Sequence, residues 1–301
     1  MTRTTANLVL LGTAAIWGLA FVFQKTAMDH MGPYLFVALR SFIACAALLP
    51  VALSERPGGA PLLPGGLVRV ASLGGVMFFL GALLQQIGLV TATVTNTGFL
   101  TGLYVVITPL LVWVFFRRAP VRHVWLAVGL AFVGTWFLGG GTVGGLSYGD
   151  VLVAVSALFW AGHMLVIEAS SHHGRPIMFT CIQFAVTGVL GLAGAFAFET
   201  VSLSAIAGAW QELLYVGLLS SALTFALLAV AMKHTQSSDA AILVSMETVF
   251  AALAAAVLLG ERLTPLAWAG AVMMFAATLI VQLAPFVDRR RWRPPSAPPA
   301  S

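Results

Sequence analysis

Apolar residues fill this chain in runs that are each about as long as a membrane-spanning helix. A helix needs roughly 20 mostly apolar residues to cross the hydrocarbon layer of a bilayer. Short stretches with turn residues or charges separate the runs, so the pattern predicts an all-α integral membrane protein with ten transmembrane helices. The predicted segments, numbered one to ten in chain order, are 6–25, 33–53, 67–90, 93–116, 121–140, 149–170, 176–198, 207–233, 238–260 and 264–287.

The composition supports this prediction, because 60% of the 301 residues are hydrophobic and only 8% are charged. An ordinary soluble domain has about 25% charged residues. No polar stretch is long enough to form a soluble domain; the longest are the Pro/Gly-rich link 54–66 and the basic, Pro-rich tail 288–301. Cys45 and Cys181 fall inside segments two and seven, where we expect apolar packing rather than a disulfide or a metal site.

Basic residues are distributed unevenly between the two ends of the predicted segments. Because cytoplasmic loops carry an excess of Lys and Arg, the bias predicts that both termini are cytoplasmic, in what we expect to be a bacterial inner membrane. The net charge of +5 is therefore interpreted as a topology signal, and no nucleic-acid partner is expected. One end carries Arg3, Arg56, Arg69, Arg117, Arg118, Arg122, Arg175, Lys233, Arg289, Arg290, Arg291 and Arg293; the other carries Lys25 and Arg262.

The sequence repeats itself at an offset of 143 residues without a gap: Trp17 matches Trp160, and Pro33 matches Pro176. Each half holds five segments, an odd number, so the second half enters the membrane from the opposite side. Because segment one matches segment six, we expect it to stay in the mature chain and not to be cleaved as a signal peptide. Further matched pairs are Gly74/Gly217, Leu84/Leu227, Leu100/Leu243, Val106/Val249, Trp125/Trp268, Phe132/Phe275 and Thr135/Thr278. The predicted units are two inverted five-helix repeats (1–140 and 149–287), a Gly-rich connector (141–148) and a cytoplasmic tail (288–301).

Inverted repeats of this kind are typical of secondary transporters, whose substrate site lies near the membrane midplane between the two repeats. The Gly-rich run GGGTVGG (139–145) does not indicate a phosphate loop, because no Gly-Lys-Ser/Thr follows it. With no nucleotide-binding motif, the expected driving force is a gradient, and both proton antiport and facilitated diffusion stay open.

Three stretches resemble the EamA family of the drug/metabolite transporter superfamily, ten-helix exporter type. They are AAIWGLAFVFQK, the following GPYLFVALR, and LLGERLTPLAWAGAVMM after segment nine. The resemblance covers nearly the whole chain. It implies a cavity mainly among segments three, four, eight and nine, with one and six also lining it, and transport of amino acids, other metabolites or drugs. The first half departs from the pattern, with FRRAP at 116–120 where the second half has GERL at 260–263.

Segment four carries a polar stripe at helical spacing. Thr97, Thr101, Tyr104 and Thr108 share one helix face, which should not face lipid. At the offset of 143, Tyr104 matches Glu247 in segment nine. We therefore predict that the two segments present one large polar group each to the cavity, at symmetry-related depths.

Segments one, three and six supply further candidates for the cavity wall. The matched tryptophans either stack on an aromatic or apolar substrate or pack between helices. In segment three each of two phenylalanines precedes a glutamine by seven residues, and one of the two pairs should face the cavity. The histidine of segment six is either a pH-sensitive group or a neutral interface residue. The candidates are Trp17, Phe78, Phe79, Gln85, Gln86, Trp160 and His163.

Two charged residues lie well inside predicted segments, where an ionised side chain costs about 2.5–3.5 kcal/mol. Glu247 is the deepest acid, and three roles stay open: proton exchange, binding of a substrate amine, or a hydrogen-bonded tie between helices. Arg40 lies about 10 Å into segment two; it is either an anchor whose side chain extends to the outer interface or a contact for a substrate carboxylate. Lys25 and Glu168, another matched pair, are expected at interfaces or gates.

These features predict a secondary transporter of small organic metabolites, most simply an exporter of amino acids with aromatic or apolar side chains. A multidrug or other metabolite transporter is the alternative. An intramembrane enzyme would need His-Glu-x-x-His, Gly-x-Ser-x-Gly or paired midplane aspartates, and the sequence has none. We therefore expect no enzyme activity, no catalytic residues, no metal and no cofactor. The expected partners are a small-molecule substrate and the lipid bilayer, with the oligomeric state left open.

Overall fold

The computed structural model describes residues 2–55, 61, 63–117, 119–120, 122–142, 145–170, 173–231 and 243–287. Within these ranges the regular structure is helical and contains no strand. A π-helix occupies Tyr215–Leu223. The helices are α1 (Arg3–Ala27), α2 (Pro33–Ser54), α3 (Gly65–Leu89), α4 (Val94–Thr101), α5 (Leu103–Phe116), α6 (Arg122–Leu138), α7 (Tyr148–Ser170), α8 (Pro176–Phe198), α9 (Leu203–Gly208), α10 (Trp210–Leu214), α11 (Thr224–Ala231), α12 (Glu247–Leu258) and α13 (Pro265–Val287).

All ten predicted segments contain helix, but they are not ten uninterrupted helices. Segment four divides at Gly102 into α4 and α5, and segment eight consists of short helices joined by the π-helix. Among the described residues, seven helical spans are long and apolar enough to cross a membrane, and three shorter apolar helices occupy Arg122–Leu138, Leu243–Leu258 and Pro265–Val281. Ten crossings therefore stay a prediction. The tail 288–301, the start of segment nine and part of the connector lie outside the described residues.

Two glutamates hold α2 and α8 together in a reciprocal arrangement. Glu55, directly after α2, accepts hydrogen bonds from two backbone N–H groups in the first turn of α8 (3.0 and 2.9 Å). Glu199, directly after α8, accepts from two N–H groups in the first turn of α2 (2.8 and 2.9 Å). These N–H groups have no partner inside their own helix, and the helix dipole favours an anion there. Each carboxylate joins the end of one helix to the start of the other, so α2 and α8 are antiparallel.

This antiparallel pair supports the inverted repeat, because α2 and α8 begin at the matched prolines Pro33 and Pro176. We call the end of the molecule where α1 begins and α2 ends the terminal end. The end where α1 ends and α2 begins is called the opposite end. The two thiols predicted to pack inside segments two and seven meet between α2 and α8: the Sγ atoms of Cys45 and Cys181 are 3.3 Å apart, and both cysteines are free.

The helices α1 and α12 cross at Gly18 with their backbones in contact. A Cβ atom added to Gly18 would lie 2.7 Å from the backbone nitrogen of Ala251 and 2.8 Å from the carbonyl oxygen of Glu247. These neighbours are backbone atoms, which cannot rotate away as a flexible side chain can. The absence of a side chain at Gly18 thus fixes the distance between α1 and the start of α12.

We expect Gly18→Ala to lower the melting temperature of the purified protein, because the added methyl group must push α1 away from α12. Overpacking of this kind costs about 1–3 kcal/mol. Gly129→Ala is the matched control: Gly129 also lies within a helix, but nothing is within 4 Å of its added Cβ. Because alanine is the better helix former, the control should melt at or slightly above the wild-type temperature. Equal melting of the two variants would contradict the assigned contact.

Candidate functional site

A cavity of about 230 Å³ lies between the two repeats. Both halves of the chain contribute to its wall, as expected of a site at the interface of inverted repeats. Apolar and aromatic side chains make up most of the wall, with one carboxylate and one guanidinium among them. The lining residues are Trp17, Phe21, Gln24, Arg40, Phe78, Gln85, Thr101, Tyr104, Trp160, His163, Met164, Ile167, Ser220, Ser221, Phe225, Leu228 and Glu247.

Nine of the residues singled out from the sequence for this wall lie on it, and four do not: Phe79, Gln86, Thr97 and Thr108. Phe79 packs against Tyr34 at the opposite end, and Gln86 is fully buried between helices, where its Nε2 donates to the backbone oxygen of Gln24 (2.7 Å). The Thr97 hydroxyl donates to its own helix. Of the two predicted phenylalanine–glutamine pairs, Phe78 with Gln85 faces the cavity. The nine are Trp17, Arg40, Phe78, Gln85, Thr101, Tyr104, Trp160, His163 and Glu247.

The side chain of Glu247 faces the cavity from the first residue of α12 and is 8% exposed. Tyr104, its match in the first repeat, also lies on the wall, as the offset predicts. Within the described part of the chain, the carboxyl group of Glu247 makes no hydrogen bond, so nothing there supports its interpretation as a tie between helices. The group is free to meet a proton or a cationic substrate group.

Arg40 is buried in the cavity wall, 5% exposed, so its side chain does not extend out to the surface, and the choice between a structural anchor and a substrate contact stays a prediction. Its NH1 atom donates to Oε1 of Gln24 (3.1 Å), and the guanidinium carbon lies 5.7 Å from the centre of the Phe36 ring. Among the residues that the structure describes, the Nε–H group has no hydrogen-bond partner. Among the described residues no carboxylate pairs with Arg40. A buried guanidinium without a counter-ion, aimed into a cavity, is a suitable partner for an anion.

The matched tryptophans make different contacts in the two repeats. The indole N–H of Trp17 donates to the backbone oxygen of Ser220 (2.8 Å), and its ring meets Phe225 edge-on with centroids 5.9 Å apart. Trp160 meets Phe78 edge-on at 5.0 Å, and its buried indole nitrogen has no hydrogen-bond partner in the described part of the chain. Both rings thus form part of the apolar wall, while only Trp160 retains a free donor.

His163 forms a buried hydrogen bond between its Nε2 and Oε1 of Gln183 (2.7 Å). Gln183 matches Arg40 at the offset of 143, and each bonds to the first helix of its own repeat: Arg40 to Gln24 on α1, and Gln183 to His163 on α7. His163 thus takes part in a buried contact between helices and also lines the cavity, and its role stays a prediction. Only in the first repeat does the second helix bring a charge to this position.

Sequence reasoning missed several residues on the wall. Ser220 and Ser221 belong to the π-helix, for which the sequence carries no recognisable signal. The wider turn of a π-helix often occurs at functional sites. Helical spacing does place Gln24 on the face of Trp17, seven residues after it, but Gln24 was not chosen as a candidate for the cavity wall. The lining residues not included among the candidates are Phe21, Gln24, Met164, Ile167, Ser220, Ser221, Phe225 and Leu228.

A second cavity, of about 260 Å³, shares Ile167, Phe225 and Leu228 with the first. Pro176 and Ile177, at the start of α8, also line it. The start of α8 lies at the terminal end, beside Glu55. The second cavity therefore continues from the first toward the terminal end.

Comparison with known proteins agrees with this architecture. A solved crystal structure superposes with a TM-score of 0.64 at 16% sequence identity, covering 96% of this chain and 99% of that one, which shows the same fold. An uncharacterized transporter of Archaeoglobus fulgidus is 33% identical over 93% of this chain and 87% of its own length. The uncharacterized transporter YwfM of Bacillus subtilis is 24% identical over 93% and 94%. The model of the EamA-like transporter family matches twice, over residues 4–140 and 147–283, so this chain belongs to that family and the resemblance found in its motifs is confirmed.

Proposed function

We propose that this protein is a secondary transporter that exports amino acids with aromatic or other apolar side chains by alternating access. The observation that carries the proposal is the pair of charges on the cavity wall. Glu247 offers a carboxylate without a hydrogen bond within the described residues, and Arg40 offers a buried guanidinium without a carboxylate partner. An amino acid carries the complementary pair, an ammonium and a carboxylate group.

The rest of the wall supports an apolar side chain on the substrate. Trp17, Phe78, Trp160 and Phe225 surround the cavity with aromatic surface, which binds apolar and aromatic groups through burial and edge-on contacts. Drug-binding pockets commonly have about 300–1,000 Å³. The first cavity, at about 230 Å³, lies below that range, and we propose that it holds a metabolite the size of an amino acid.

Export driven by proton antiport is part of the proposal, and the charge distribution supports the orientation that it assumes. Because basic residues concentrate at the terminal end, we propose that this end faces the cytoplasm of a bacterial inner membrane. Glu247 then receives the substrate amine from the cytoplasm and exchanges it for a proton from outside. Proton antiport of this kind uses one carboxyl group for two competing ligands.

Counterflow in proteoliposomes tests the proposal. Vesicles loaded with a panel of unlabelled amino acids should accumulate the same labelled amino acid faster with the protein than without it, for at least one apolar or aromatic member. Loading with the amide and the N-acetyl derivative of that member identifies which charge is recognised. If the protein is monodisperse and shows a cooperative thermal unfolding transition, the absence of flux for the complete panel would contradict amino-acid transport. Flux of bulky cations instead would favour the multidrug alternative.

A further inference from the structure

The hairpin between α3 and α4 is held from one side by a lysine of α1. The Nζ atom of Lys25 donates to the backbone oxygens of Leu89 (2.6 Å), Val90 (3.1 Å) and Ala92 (3.1 Å). Leu89 is the last residue of α3, and Val90 and Ala92 follow it. Carbonyl groups at the end of a helix have few partners within the helix. The positive charge of Lys25 also complements the negative end of the helix dipole of α3.

A glutamate from the second repeat holds the same hairpin from the other side. Glu261, in the loop between α12 and α13, accepts from the backbone N–H groups of Val94 (2.7 Å) and Thr95 (3.0 Å) and from the Thr95 hydroxyl group (2.7 Å). Its negative charge lies at the positive end of the α4 dipole. Lys25 and Glu261 together form what we call the hairpin clamp, with each charge at the helix end that favours it.

The clamped hairpin lies at the opposite end, beside the end of α1. It connects two helices of the wall: α3 carries Phe78 and Gln85, and α4 carries Thr101. Next to the hairpin, Gly88 of α3 is in backbone contact with α7; a Cβ added to it would lie 2.7 Å from the oxygen of Gly149. At the terminal end, by contrast, the second cavity extends the first.

The repeat does not carry the same pair of charges at the matching positions. At the offset of 143, Lys25 matches Glu168 and Glu261 matches Arg118, so both signs are reversed. A second clamp of the same kind would need a base at the end of a helix and an acid at the start of the next. At these two positions the sequence instead has the acid Glu168 and the base Arg118. The difference between FRRAP and GERL thus includes a reversal of the charge at the position of Glu261.

We propose that Lys25 and Glu261 are positioning residues that set the resting conformation of the transporter: the hairpin clamp keeps the opposite end closed, and the cavity rests accessible from the terminal end. Without the clamp, the two inverted halves would have more nearly equal preference for either face. The inference rests on the proposed transport function, but the accessibility of the cavity can be measured without any substrate.

Cysteine labelling from each face of oriented vesicles tests the proposal. The reporter is Ser221→Cys on the cavity wall, in a background where Cys45 and Cys181 are changed to alanine. A membrane-impermeant maleimide should label the reporter faster from the terminal end. Lys25→Gln and Glu261→Gln should each raise labelling from the opposite end about fivefold, the factor that one charge at a helix end supplies. Lys25→Arg, which keeps the charge, should label like the parent.

Glu199→Gln is the matched control, because Glu199 caps α2 at the same end with the same geometry but does not touch the hairpin. It should leave the ratio of the two labelling rates unchanged. An unchanged ratio in both clamp variants would overturn the proposal, and so would an equal rise in Glu199→Gln, which would indicate general loosening. The two clamp variants are made separately. If one of them fails to fold, the other still tests the proposal. A failed amino-acid panel would leave these labelling rates valid, and unchanged rates would not affect the panel.

Discussion

Arg40→Gln is expected to remove the preference of the transporter for substrates with a free carboxylate. Hydrogen bonds to charged groups contribute about 1.5–3 kcal/mol, so the apparent affinity for an amino acid should fall about ten- to hundredfold. Affinity for the corresponding amide, which has no charge to pair, should change little. Inhibition of counterflow by the amino acid and by its amide measures the ratio directly.

Two further variants separate carboxylate binding from structural anchoring. Arg40→Lys keeps the charge but not the planar fork of donors, so it should retain part of the preference. Gln183→Leu changes the matched position of the second repeat, which bonds His163 and does not line the cavity; it should leave the preference intact. If Arg40→Gln transports acid and amide in the wild-type ratio, Arg40 is a structural residue.

The position of Arg40 shows what a sequence pattern could and could not predict. Its depth in segment two follows from the distance to Pro33, and that depth alone allows either an inward or an interfacial side chain. The direction of the side chain depends on Gln24 of α1. The amide oxygen of Gln24 accepts a hydrogen bond from the guanidinium group inside the wall. A tertiary partner of this kind has no signal in the local spacing.

The offset was a better guide than the helical spacing. It placed Tyr104 and Glu247 on one cavity wall, because matched positions of two similar repeats share their depth and orientation. Helical spacing could not choose between Gln85 and Gln86, since neighbouring positions on an almost wholly apolar helix differ by only one step of rotation. Both glutamines are buried, and only the packing of α3 against α1 and α7 decides which one meets the cavity.

The sequence patterns did not predict the carboxylates that bind the ends of helices. Glu55, Glu199 and Glu261 lie in or beside loops, where acidic residues are ordinary. The sequence shows no sign that each binds the first turn of a helix distant in the chain. The contrast between GERL and FRRAP was visible from the beginning. Only the hydrogen bonds from the start of α4 to Glu261 explain this contrast in physical terms.

Glu247→Gln is expected to lower the affinity for substrates with an ammonium group about ten- to hundredfold, by loss of a charge-assisted hydrogen bond. Glutamine keeps the shape of the side chain but can neither carry a charge nor exchange a proton. In the wild type, acidification at the opposite end should accelerate efflux, because a proton on Glu247 favours release of the amine. In the variant, efflux should not respond to pH between about pH 5 and pH 8. Efflux from vesicles with a clamped internal pH measures both effects.

His163→Gln is the matched control, because His163 is the histidine among the described lining residues and histidine titrates in the same pH range. A pH response that survives in this variant and disappears in Glu247→Gln belongs to the carboxyl group. If Glu247→Gln loses amine preference while the wild type itself shows no pH response, Glu247 binds the substrate without proton exchange, and the transport is facilitated diffusion. If neither the pH profile nor the amine preference changes, both functional roles are excluded. The carboxyl group would then serve only the packing of α12 against the wall.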